Sequence, residues 1–239
     1  MAAKLYCVRL SRLQSDPQNR LSAWQTAPMT DQHAPQTSTP AERNKAPILA
    51  ALQGLLPATG RALEIAAGTG QHAVHFAAGL PGWVWQPTDP EPAALASIAA
   101  WARLSPSDGL LPPLQLDVLA SPWPVSAAGA PRWDLVFCAN MLHIAPWACC
   151  AALMRGAAEA LTPRGLLITY GPYQVDGEAL APGNLAFDAD LRSRNPAWGL
   201  RWLHAVDAQA QAAGLQRQGR LAMPANNQLL VFARGPAST

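Results

Sequence analysis

The sequence predicts an α/β fold: a doubly wound, mostly parallel sheet of seven strands, closed by an antiparallel C-terminal hairpin. Three observations predict it. Apolar, strand-like runs alternate with helical stretches from residue 61 to residue 170, the pattern of βαβ units in a parallel, Rossmann-like sheet. The first of these runs, "RALEIAA" at 61–67, opens directly into Gly68-Thr69-Gly70 and a helix. The chain ends on two strand-like runs joined by "PAN" instead of a further βα unit.

The elements follow in order. A helix is expected from about residue 41, carrying "APILAALQGLL" and ending before Pro57, because proline lacks the N–H that a helix interior needs. The first strand, 61–67, leads through the glycine turn into a helix over 71–78. "WVWQPTD" at 83–89 is the second strand, followed by a helix over 92–104 and a third strand, "LQLDV", at 114–118. "WDLVFCAN" at 133–140 is apolar enough that both its faces are expected to be buried. A helix over 146–161 and a fifth strand over 164–170 complete the alternation, with right-handed crossovers. Residues 171–199 are turn formers, aromatics and polar groups. That stretch is too long for a connector and lies where such sheets carry function. A helix over 203–213, with Gly214 just past its end, leads to strands at 215–223 and 227–234.

Composition bounds the partners. The 239 residues suffice for one α/β domain with extensions, and we expect a flexible extension over 1–40 and a single domain over 41–239. Only 13% of residues are charged, about half the usual share, and no apolar run approaches the roughly 18 residues of a membrane-spanning helix. The net charge of +2 comes from scattered basic residues, with no stripe for nucleic acid. A small-molecule substrate is therefore expected, with no nucleic-acid or membrane partner. Cys7, Cys138, Cys149 and Cys150 lack C-x-x-C spacing, which suggests a reducing, cytoplasmic setting; Cys149 and Cys150 are expected to be small buried hydrophobes. Residues 1–28 carry Lys4, Arg9, Arg12 and Arg20 against Asp16 alone, as in a weak transit peptide. We read them as a dispensable segment, with Met29 as an alternative start, and residues 30–40 as disordered.

The glycine turn admits two ligands. Gly68 and Gly70 let the backbone turn tightly and a ligand approach it, and the helix behind them offers unpaired N–H groups. "GTGQHA" satisfies the dinucleotide fingerprint G-x-G-x-x-G/A. "EIAAGTG" equally matches E-x-G-x-G-x-G, a pattern of S-adenosylmethionine (SAM) sites, with Ala66 at the first glycine; an alanine is tolerable there if it is extended. Glu64 favours the second ligand. A carboxylate inside a parallel strand needs a partner, either the α-ammonium of SAM or a side chain such as Arg61, Arg43 or Lys45. Asp89 ends the second strand, where an acid grips ribose hydroxyls in either cofactor class, and Asp117 ends the third. His72 and His75 lie one helical turn apart, but no acid or thiol at ligand spacing joins them, so no metal is expected. His72 is expected to cap the cofactor site and His75 to pack.

In "ERNKAPIL" (42–49), "EIAAGTGQHAVHFA" (64–77), "WQPTDP" (85–90), "NMLHIAPW" (140–147), "YGPY" (170–173) and "RNPAWGLR" (194–201), the chain resembles class I SAM-dependent methyltransferases. It most closely resembles the methyltransferase-like family known as domain of unknown function 938, from Glu42 to Arg234. The resemblance implies cofactor contacts from Arg43 and Asn44 to the SAM carboxylate, and from Glu64, Gly68, Thr69, Gly70 and His72 around the turn. It also implies contacts from Asp89 to the ribose, from Asp117 and Val118 to the adenine, and from Asn140 on the same rim. Methyl transfer needs alignment and a dry pocket, and a base only where the acceptor loses a proton. His143 is the candidate base by residue type, with Tyr170 and Tyr173 as orienters, while Asn184, Asp188 and Asn195 are candidates for the acceptor pocket. The expected function is SAM-dependent methyl transfer to a small O- or N-acceptor. A non-catalytic SAM-binding protein is the alternative; an NAD-dependent oxidoreductase is a weaker one, since no Tyr-x-x-x-Lys pair is present.

Overall fold

The structure, a computed structural model, describes residues 34–126 and 129–235; of the expected extension over 1–40, residues 1–33, with Cys7, lie outside the described residues. In chain order the elements are α1 (Thr39–Leu55), β1 (Gly60–Ile65), α2 (Gln71–Gly79), β2 (Trp83–Asp89), α3 (Pro92–Leu104), β3 (Leu114–Gln115), β4 (Trp133–Ala139), α4 (Ala148–Ala160), β5 (Leu161–Gly171), β6 (Tyr173–Gln174), α5 (Pro182–Arg194), β7 (Arg201–Trp202), α6 (Leu203–Ala212), β8 (Leu215–Met223) and β9 (Asn227–Arg234).

Seven of these strands form one sheet in the order β3-β2-β1-β4-β5-β9-β8. β1 to β5 run parallel, β9 runs antiparallel to β5, and β8 completes the terminal hairpin. The order reverses between β1 and β4, so a crevice opens at their carboxyl ends, where doubly wound sheets take their ligands. β4 is buried on both faces as its sequence predicts. Leu135 and Phe137 join Ile48, Leu52 and Phe76 in one layer, and Val136 and Cys138 join Leu153, Met154 and Val206 in the other. Cys138, Cys149 and Cys150 are buried free thiols whose ionisation burial disfavours. Among the described residues no helix is long and apolar enough to cross a membrane.

Three local expectations are corrected. Ser38 caps α1 by accepting the Ala41 N–H, and Pro40 occupies the first turn, where a missing N–H is harmless. The helix therefore starts before residue 41, and Gln36 and Ser38, expected in the flexible extension, are hydrogen-bonded to Ser97 and Gln71. β3 is only two residues long, so Asp117 and Val118 lie beyond it, in a turn that Asp117 closes by accepting the Leu119 N–H at 2.9 Å. The 171–199 stretch is not irregular throughout. It contains α5, and β6 pairs with β7 in a separate two-stranded ribbon. Only Asn184 and Leu191 of α5 are buried, so no apolar stripe marks this helix in the sequence.

Candidate active site

The crevice is built on residues 66–70, three of which have left-handed backbone: Ala66 at φ +56, Gly68 at +59 and Gly70 at +90. Ala66 is therefore not extended, contrary to expectation. The turn requires left-handed geometry at this position, and an L-alanine bears about 1–2 kcal/mol of strain there. Flanking bonds hold it in place: the Ala67 N–H donates to the Thr88 carbonyl and the Gly70 N–H to the Ala67 carbonyl. Ala66→Gly should relieve this strain and stabilise the protein by about 0.5–1 kcal/mol, after allowance for the extra freedom of glycine in the unfolded chain. A higher urea midpoint for the variant is expected; an unchanged or lower one would show that the strain is absent.

Two carboxyl groups accompany the turn. Asp89 Oδ2 accepts the Gly68 N–H at 2.9 Å and Oδ1 accepts the Glu91 N–H at 3.0 Å; burial pushes this carboxyl above its usual range against those bonds. Glu64 is 1% exposed, and its Oε2 accepts from Trp85 Nε1 at 2.7 Å. No cation lies within ion-pair reach of Glu64 among the described residues. Arg61 sits over the Trp133 ring at 5.1 Å, and Lys45 pairs with Glu42 at 2.5 Å. Burial accordingly pushes the Glu64 carboxyl up to about 8, opposed by the Trp85 bond and helped by Asp89. No side chain caps α2 at Gly70, which leaves first-turn N–H groups for a ligand.

The segment ahead of α1 and the first turns of that helix are latched along the turn. Gln71 Oε1 accepts the Ser38 N–H and the Thr69 hydroxyl, while its Nε2 donates to Glu42 Oε2 at 2.8 Å. Ser97 Oγ donates to the Thr69 carbonyl and accepts the Gln36 N–H. Further along, Asn44 Oδ1 accepts from His72 Nε2 at 2.7 Å, so this nitrogen carries the hydrogen. Burial holds the His72 imidazole down at about 4, hence neutral at pH 7. The same Asn44 meets the Tyr170 hydroxyl, partly offsetting the upward push of burial. Arg43 is exposed. Sequence reasoning missed Gln71 and Ser97: Gln71 fills a variable position of the turn motif and Ser97 lies in none of the motifs; the available signal was the position of Gln71 directly after the turn.

Asn140, at φ +60, turns the chain off β4 while its N–H donates to the Tyr170 carbonyl at 2.8 Å. His143 is 5% exposed and lies against the end of β5. A Cβ on Gly171 would sit 3.0 Å from its Cε1 and 3.1 Å from its Nδ1, so glycine permits this approach. Phe187 of α5 presents an edge-on ring at 5.6 Å. Burial, with the Arg201 charge, pushes His143 down to about 3, leaving the imidazole neutral at pH 7. The carboxyl rim of the sheet thus brings together Glu64, the 66–70 turn, Asp89, Asn44, His72, Tyr170, Asn140 and His143.

Other candidates sit differently. Asp117 is exposed, while Val118 is buried with its carbonyl accepting from Trp123 Nε1. Tyr173, expected as an orienter, is a core residue whose hydroxyl donates to Thr169 Oγ1 at 2.8 Å. Asn184 donates to the Asn226 carbonyl, Asp188 accepts the Leu200 N–H and pairs with Arg192, and Asn195 accepts the Ala197 N–H. Those bonds fasten the insertion to itself and to the terminal hairpin.

A sheet of this order, with its glycine turn at the switch point, is the class I SAM-dependent methyltransferase fold. Residues 35–234 match the family described as a protein of unknown function (DUF938), and the chain belongs to that family. The fold is shared with a methyltransferase in calicheamicin biosynthesis in its SAH-bound form (15% identity, TM-score 0.67, covering 82% of this chain and 54% of that one). It is shared with an O-methyltransferase family protein from Burkholderia thailandensis (16%, 0.68, 83% and 58%). Human N-acetylserotonin methyltransferase in complex with SAM is similar to the same degree (16%, 0.66, 82% and 53%). This chain therefore spans a little over half the length of each of those proteins.

Proposed function

We propose that this protein binds SAM in the crevice and transfers its methyl group to a small O- or N-acceptor beneath α5. The observation that carries this reading is the pair of carboxyl groups beside the glycine turn, one of them buried without a cation. A pyrophosphate would compete with Asp89 for the Gly68 N–H and meet its negative charge. SAM instead brings an ammonium and a sulfonium, which suit acids. In this reading Glu64 takes the ammonium, Asp89 the ribose hydroxyls, Asp117 and Val118 the adenine, and Arg43 with Asn44 the carboxylate. The SAM complex of human N-acetylserotonin methyltransferase, on the same fold, supports the choice of cofactor.

When bound, SAM supplies a methyl group on a sulfonium, so the reaction is an in-line displacement. The chain's own task is then alignment and removal of one proton. His143 accepts that proton at Nε2, the ring nitrogen not set against Gly171, and Phe187 and Gly171 keep the imidazole dry. Tyr170, oriented by Asn44, presents its hydroxyl to the acceptor.

Thermal unfolding with SAM, S-adenosylhomocysteine and NADH in parallel tests the cofactor. Ligand at 100 times its Kd adds about 2.7 kcal/mol, roughly 5–10 °C for a domain of this size. The first two should give that shift and NADH none; a shift with NADH alone would sink the reading. An acceptor screen following S-adenosylhomocysteine release then tests turnover, and turnover that survives unchanged in His143→Ala would remove His143 from the mechanism.

A further inference from the structure

The 140–147 loop carries Asn140 and His143, yet it leaves β4 through a left-handed residue and has no ladder to hold it. Its fastening comes from the 194–201 motif. Arg201 donates from Nε to the Leu142 carbonyl at 2.8 Å, and from Nη2 to the carbonyls of Ala145 at 2.7 Å and Ala197 at 2.8 Å. Its guanidinium also lies over the Trp147 ring at 5.4 Å. Two residues earlier, the Gly199 N–H donates to the His143 carbonyl at 3.0 Å. Gly199 has φ +137, and a Cβ there would fall 2.7 Å from the Arg192 guanidinium and 2.8 Å from the Asp188 carboxylate, so glycine suits both the backbone and the Asp188–Arg192 pair at this position. The carbonyls of residues 142, 143 and 145 are thus held by one short segment of the insertion.

We propose that Arg201 is a positioning residue for His143. By binding two carbonyls of the loop, and that of Ala197 in its own segment, it fixes the loop so that the imidazole is set against Gly171 and closed from water. A planar fork of donors is required; lysine, a point charge on a flexible stem, cannot reach the same set. The charged groups around His143 are Arg201 itself and, across Gly199, the Asp188–Arg192 pair; Phe187 and Gly171 supply its uncharged walls. The functional weight of this inference rests on His143 as proton acceptor, but its test needs neither SAM nor an acceptor.

The test is NMR of the full chain labelled with 15N-histidine, with the His143 imidazole assigned as the signal lost in His143→Gln. Wild-type His143 should remain neutral, in one tautomer, down to about pH 4. In Arg201→Ala and Arg201→Lys its midpoint should rise by about one pH unit or more as the loop opens to water. If the alanine variant fails to fold, the lysine variant, which keeps the charge, carries the test. Arg217→Ala removes a two-bond pair with Asp207 elsewhere in the fold and should leave the His143 titration unchanged. A His143 titration in Arg201→Lys identical to wild type would overturn the proposal. Absence of SAM binding to wild type would instead overturn the functional reading, and is measured separately by calorimetry.

Discussion

Replacing Glu64 with glutamine should weaken SAM binding roughly 10- to 100-fold and, at pH 8 and above, stabilise the ligand-free protein by a few kcal/mol. Both effects follow from one buried carboxyl without a cation. Its value is about 8 in the folded chain against an ordinary 4.5, so the folded state holds a proton that the unfolded state releases. This contribution is present in full below pH 4.5 and is lost as pH rises through 8. Glutamine retains an oxygen for Trp85 Nε1 but has no charge to bury. Asp89, also raised, adds a slope of the same sign to both proteins and cancels in their difference. Urea unfolding from pH 5 to pH 9 should therefore show the variant's advantage growing with pH and levelling above about 8; a difference flat in pH would refute the assignment. The ligand supplies a second readout. Below pH 8 an ammonium that pairs with Glu64 displaces its proton, so calorimetry in buffers of different ionisation enthalpy should register release of up to about one proton by wild type and less by Glu64→Gln.

The parts of the fold most legible in the sequence are those where one physical demand dominates. β4 is apolar on both faces because it is covered on both, and the pattern says so directly. The closing hairpin could be read because two strand-like runs with no helix between them can only pair antiparallel. α5 was not legible: it buries only Asn184 and Leu191, and its character comes from tertiary bonds such as Asp188 to Leu200. Asp117 could be placed on the rim but not on a strand, since the β2–β3 ladder is only two residue pairs long and ends before it. Within the site, residue types pointed to Glu64, Asp89 and His143. Gln71, Ser97 and Arg201 act chiefly through bonds to groups far away in the sequence, such as the Ser38 N–H, the Thr69 carbonyl and the Leu142 carbonyl, and local spacing cannot encode such bonds. Ala66 shows the limit most clearly, because the motif predicts a glycine and the chain tolerates an alanine in the same left-handed geometry.

That tolerance allows folding and binding to be separated at two glycines of the turn. A Cβ on Gly70 would fall 2.8 Å from Ile98 Cα and 2.9 Å from Ile98 Cγ1, at φ +90. The backbone of α3 cannot yield without moving the helix, so Gly70→Ala should cost about 3 kcal/mol or more, lowering Tm by roughly 6–12 °C. Gly68 has the same hand, at φ +59, but nothing lies within 4 Å of its added Cβ. Gly68→Ala should therefore cost only the left-handed strain, about 1–2 kcal/mol, which Ala66 shows this turn can carry. The space that makes the substitution cheap is the space in which a ligand would meet the chain, so SAM affinity should fall at least about tenfold, the cost of one lost close approach. Thermal unfolding and calorimetry on both variants decide the matter. Gly68→Ala that folds and binds SAM like wild type would mean the cofactor does not approach the chain at Gly68. The turn would then be a structural corner of the sheet, and SAM would be held by groups other than Gly68.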